Sequence, residues 1–63
     1  MTVFKLVKAT EEKFVIWSSN GESLFNSMYS TFVDFKQYSD CTVEHFSIGS
    51  ESGTKVIDIF IED

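Results

Sequence analysis

A chain of 63 residues with ten acids against five lysines, and with no arginine, no proline and one cysteine, excludes several classes at once. Its net charge of −5 repels nucleic-acid phosphate, and lacking arginine it lacks the bidentate fork that reads phosphates and guanines, so direct nucleic-acid binding is not expected. Cys41 alone closes no disulfide within the chain and builds no thiolate metal cluster, and no run reaches the eighteen or more apolar residues of a membrane span.

Thr2 to Lys8 places Phe4 and Leu6 on one side and Val3, Lys5 and Val7 on the other, an alternation of β-branched and aromatic residues that predicts a strand. A short polar loop, Ala9 to Glu12, follows. Lys13 to Ser18 alternates again, with Phe14 and Ile16 on one face and Val15 and Trp17 on the other, and an antiparallel pair with the first strand is expected. Asn20-Gly21 is a strong hairpin signal where alternating strands flank it. Downstream, however, Leu24, Phe25, Met28, Tyr29, Phe32, Val33 and Phe35 recur at spacings of three and four, which predicts one amphipathic helix over Ser23 to Tyr38. Ser19 and Glu22 have the spacing of a capping box, and Asn20 is an equally good cap.

Ser39-Asp40 ends that helix. Cys41 to Ile48 is expected as a strand whose apolar period slips, because Cys41 and Val43 lie on one parity and Phe46 and Ile48 on the other. A bulge near Glu44-His45 returns both pairs to one face. Gly49 to Gly53 is expected as a five-residue turn. Thr54 to Ile61 alternates clearly, with Ile57, Ile59 and Ile61 on one face and Val56, Asp58 and Phe60 on the other. The predicted fold is a single α+β domain over residues 1–63, ordered β-β-α-β-β, with a four-stranded, mostly antiparallel sheet and one helix packed on one face.

Catalysis has little to work with. Cys41 and His45 lie roughly 13 Å apart along a strand at about 3.3 Å per residue, beyond the reach of a nucleophile and its base. Glu11-Glu12, Glu62-Asp63 and the Asp40/Glu44 pair lack the spacing of a calcium loop. No enzyme activity, metal or cofactor is expected.

The apolar balance is more informative. One helix covers one face of a small sheet, yet Trp17 and Phe60 share the other face with Val3, Val7, Val15 and Val56. An apolar patch of that kind on a small domain marks a binding surface, and aromatics dominate binding energies. The expected contact surface is Trp17, Phe60, Val15 and Val56, with Glu11, Glu12, Asp58 and Glu62 as its charged surroundings. The chain reads as a small acidic protein-binding module, acting as an inhibitor, an antitoxin-like neutraliser or a regulatory subunit. Its partner is expected to be a protein, basic or itself a handler of nucleic acid, with no membrane involved and with homodimerisation through the same face or through edge strands. A nucleic-acid mimic, its acids standing in for phosphates, and a structural homo-oligomeric subunit are the alternatives. In size, charge and composition the chain resembles the small acidic host-takeover and anti-defence proteins of bacteriophages, a likeness that shares no motif. A reducing compartment suits the lone thiol, which with the absence of a signal-like amino end implies the cytoplasm, the host's if the chain is phage-encoded.

Overall fold

A computed structural model of the chain describes residues 1–29 and 32–62, with Phe32, Val33 and Glu51 described by backbone alone. The elements are α1 (Val3–Thr10), β1 (Lys13–Trp17), β2 (Ser23–Asn26), α2 (Phe32–Lys36), β3 (Val43–Glu51) and β4 (Thr54–Ile61). The fold is α+β, with a four-stranded mixed sheet in the order β2-β1-β4-β3. The two hairpins, β1–β2 and β3–β4, are antiparallel, and they join at the centre through a parallel β1–β4 pairing.

The first correction concerns Thr2 to Lys8, which is the helix α1 and not a strand. Thr2 is its N-cap, with Oγ1 accepting from Lys5 N–H at 3.3 Å, and Glu11 ends it in the left-handed region at φ 55°. Val3 and Leu6 are buried and Val7 and Thr10 are half-buried, a helical spacing of three and four. Over only seven residues the alternating and helical templates overlap, and docking onto the sheet overrides the β-propensity of Val3 and Val7.

The second correction concerns Ser23 to Tyr38, which is not one helix. Its first four residues form β2, which completes a hairpin with β1, so the fold follows the Asn20-Gly21 hairpin signal that the helical spacing overruled. In the connecting loop Ser18 N–H donates to the Glu22 carbonyl at 2.8 Å, and Glu22 N–H donates to Ser18 Oγ at 3.0 Å; the Ser18 hydroxyl also meets Asn20 Oδ1. After β2, Asn26 Oδ1 accepts from Met28 N–H at 2.9 Å and Ser27 Oγ accepts from Phe14 N–H at 3.0 Å. The Asn26 side chain supplies a local partner that competes with a helix, and the Ser27 bond ties the end of β2 across to β1. Among the described residues of the expected helix, only Phe32–Lys36 is helical. Ser30 and Thr31, and the expected docking of the Phe32 side chain, lie outside the described residues.

Two smaller corrections follow. β3 starts at Val43, two residues after Cys41, and runs to Glu51, so the turn to β4 is the pair Ser52-Gly53 and not Gly49 to Gly53. Ser52 and Gly53 have φ 52° and 81°, the positive values that a two-residue hairpin turn needs. The β3 register shifts between Val43 and His45, at the expected bulge, and Val43 packs against the same core. The element order is therefore α-β-β-α-β-β.

The core joins both helices to one face of the sheet. Val3 and Leu6 of α1 and Phe35 of α2 pack with Phe14, Ile16, Phe25, Ile57, Ile59 and Ile61. Phe14, Phe25 and Phe35 meet pairwise with ring centroids 5.4 to 5.7 Å apart, in the range of favourable aromatic pairs. With no disulfide, this aromatic cluster and the fully buried Ile16, Ile59 and Val3 carry much of the apolar burial of a domain near the lower size limit.

Candidate functional site

The register fixes what lies on the opposite face. Val15 stands beside Asp58 and Trp17 beside Phe60 across β1–β4, while His45, Ser47 and Gly49 stand beside Phe60, Asp58 and Val56 across β3–β4. Cross-strand partners share a face, so Trp17, Phe60 and His45 form one row across three strands. Their rings stack along it: His45 on Phe60 at 4.5 Å and 11°, and Phe60 on Trp17 at 6.1 Å and 18°. Trp17 and Phe60 are half-buried, and His45 is exposed with Nδ1 3.5 Å from Glu44 Oε1.

One rung away, Trp17 Nε1–H donates to Asp58 Oδ1 at 3.1 Å. Asp58 Oδ2 turns toward β3, where Gly49 leaves it room: a β-carbon at Gly49 would come within 3.3 Å of that oxygen. The missing side chain leaves room for a groove of about 390 Å³ across all four strands, lined by Val15, Trp17, Asn26, Gly49, Val56 and Asp58 together with Ser23 and Ser50. Asp58 is the ionisable residue of this lining. Lys13 shares the face, on the rung of Val56, and does not line the groove.

The expected contact residues thus separate into groups. Trp17, Phe60 and Asp58 are brought together. Val15 and Val56 lie on the same face but are only 4% and 3% exposed, so they form the floor of the groove and not its contacting surface. Glu62 is exposed just past β4, at the Trp17–Phe60 end. Glu11 and Glu12 are exposed before β1, at the other end of the sheet; Glu12 and Trp17 are five residue steps apart along the strand, roughly 17 Å. Val3 and Val7, expected on this face, belong to α1 and pack with the core.

By sequence reasoning His45 enters only as a base for Cys41 and Gly49 only as part of a turn, and neither is assigned to this face. The alternation Phe46/Ile48 already placed His45 and Gly49 on the opposite parity from the core, and that signal was sufficient to find them once the bulge was granted.

Among the described residues no group of three or more His, Cys, Asp or Glu side chains is placed to hold a metal ion, and no helix is long and apolar enough to cross a membrane. Cys41 is half-buried against the core. Comparisons with protein-family models, with curated proteins and with solved structures find no match to this chain.

Proposed function

We propose that the chain is a non-catalytic protein-binding module that occupies a surface of a larger protein, as an inhibitor, neutraliser or regulatory subunit does. The single observation that carries this reading is the one-sided covering of the sheet. The buried residues of both helices, Val3, Leu6 and Phe35, join the Phe14–Ile16–Ile57–Ile59 face, while the Trp17–Phe60–His45 row on the other face has no element packed over it among the described residues. A preformed row of rings beside a groove suits a partner's side chains, because rigid aromatics contribute contact area at low entropic cost.

The partner's chemistry follows from the charge. Asp58 on the groove wall and the chain's net −5 complement a basic side chain, which stacks on an aromatic and salt-bridges a carboxylate. The test is affinity for a captured protein partner at two salt concentrations, with Trp17→Ala and Asp58→Asn beside the wild type. This reading expects a large loss from Trp17→Ala and only modest salt dependence. Affinity that collapses with salt while Trp17→Ala binds normally rejects it and marks a nucleic-acid mimic instead.

A further inference from the structure

We infer that the outer edge of β3 is a second interface, and that its occupant is the β3 of another copy of this chain. β3 is an edge strand, and among the described strands it pairs only with β4. The amino end covers the beginning of its outer side: Val43 N–H donates to the Met1 carbonyl at 2.8 Å, Val3 N–H donates to the Cys41 carbonyl at 3.0 Å, and Thr2 bridges Thr42. From Glu44 to Glu51 no described segment lies alongside.

The backbone of this stretch is set to pair. A two-residue turn makes Glu51 and Thr54 a hydrogen-bonded pair, and hydrogen-bonded and non-hydrogen-bonded pairs then alternate along an antiparallel ladder. By that alternation Phe46, Ile48 and Ser50 turn their N–H and C=O groups outward. The side chains agree. Phe46 and Ile48 stand beside Ile59 and Ile57 on the helix-covered face, yet α1 and α2 leave them 46% and 61% exposed. Lysine and proline, two protections of an edge, are absent between Glu44 and Glu51, and the bulge lies at the start of the strand, between Val43 and His45. The other edge, β2, is only four residues long, and its Phe25 is buried.

An antiparallel two-fold pairing centred on Ser47 satisfies all of this. It sets Phe46 against Ile48 of the second copy, twice, as hydrogen-bonded pairs on one face, and it sets Glu44 against Ser50, so the two Glu44 carboxylates do not face each other. The described stretch from Phe46 to Ser50 carries no charge, which lets two acidic molecules approach there. Area sets the strength. A standard interface takes about 800 Å² per partner, close to a fifth of the 4189 Å² surface of this chain, and one edge strand supplies less. The dimer is therefore reversible, with a dissociation constant on the order of micromolar. Because each copy carries −5, added salt strengthens it by screening repulsion, the opposite of what salt does to a basic partner.

Sedimentation velocity over a concentration series tests this on the wild type, Ile48→Lys and Trp17→Ala, with amide hydrogen exchange of the wild type at low and high concentration. The expected result is a monomer–dimer equilibrium that Ile48→Lys weakens at least tenfold and Trp17→Ala leaves alone. Amides of Phe46, Ile48 and Ser50 gain protection as concentration rises. If Ile48→Lys fails to fold, the exchange arm on the wild type still decides. A strict monomer at millimolar concentration overturns the inference. So does a dimer in which protection appears elsewhere, or one that Trp17→Ala dissolves.

Discussion

Trp17 and Asp58 are joined side chain to side chain across the parallel pair at the centre of the sheet, with the indole Nε1–H donating to Oδ1 at 3.1 Å. The bond fixes the indole at the border of the groove while Phe60 stacks on it from the next strand. Trp17→Phe keeps an aromatic ring and removes the donor. A half-buried carboxylate then loses a charge-assisted partner, and the expected cost is about 1 kcal/mol, read as a lower urea midpoint with an unchanged slope.

The centre and the edge of the helix-covered face differ in what they hold together. Ile59 is fully buried between the central strands and the helices, whereas Ile48 on the edge is largely exposed. Ile59→Ala is expected to cost about 2–5 kcal/mol through lost burial and a cavity. A domain of this size has a total stability of roughly 3–9 kcal/mol, so that variant is largely unfolded or close to it. Ile48→Ala, measured at a concentration where the chain is monomeric, is expected to cost less than about 1 kcal/mol. Far-ultraviolet circular dichroism during urea titration separates the two.

The β3–β4 turn is suboptimal in one residue. Ser52 adopts φ 52° beside Gly53 at φ 81°, and asparagine tolerates that first position better than serine does. Ser52→Asn is expected to stabilise the chain by about 0.5 kcal/mol. Gly53→Ala, which puts a β-carbon on a left-handed residue, is expected to destabilise it by about 1 kcal/mol. Thermal unfolding midpoints that move in opposite directions check both.

Much of the sheet was readable in the sequence, and the reasons are local. β4 matched at both ends because Val56 to Ile61 alternates without interruption and the Gly53 turn precedes it. The bulge near Glu44-His45 was readable because the parity of Cys41/Val43 and Phe46/Ile48 cannot otherwise share a core. The misread segments were those in which two periods fit. Val3, Leu6 and Val7 satisfy a helix, and Val3, Lys5 and Val7 satisfy a strand; only the packing of Val3 and Leu6 under the sheet decides. Leu24 to Phe35 keeps a helical spacing, but Asn26 takes up the Met28 N–H and Ser27 the Phe14 N–H of β1, and these bonds break it. The open face survived these errors because it depends on the parity of β1 and β4, and both strands were placed correctly. What the sequence could not show was that Val15 and Val56 lie at the floor of a groove, since that depends on the neighbours that strand order supplies.

Of the two helices on the core face, α1 depends on its first turn. Thr2 Oγ1 receives the Lys5 N–H, and the segment around it also pairs with Cys41 to Val43. Thr2→Ala is expected to cost about 1 kcal/mol from the lost cap, while Thr2→Ser recovers most of it. Faster amide exchange within Val3–Thr10, with β1 and β4 unchanged, locates the loss in α1.

The claim that the uncovered side of the sheet is the contact surface is tested most directly by hydroxyl-radical footprinting of the chain, free and in complex with a captured partner. Protection concentrated on Trp17, Phe60 and His45, with Tyr29 and Met1 labelled equally in both states, is the predicted result. Equal labelling of Trp17 and Phe60 in the free and bound chain would contradict it.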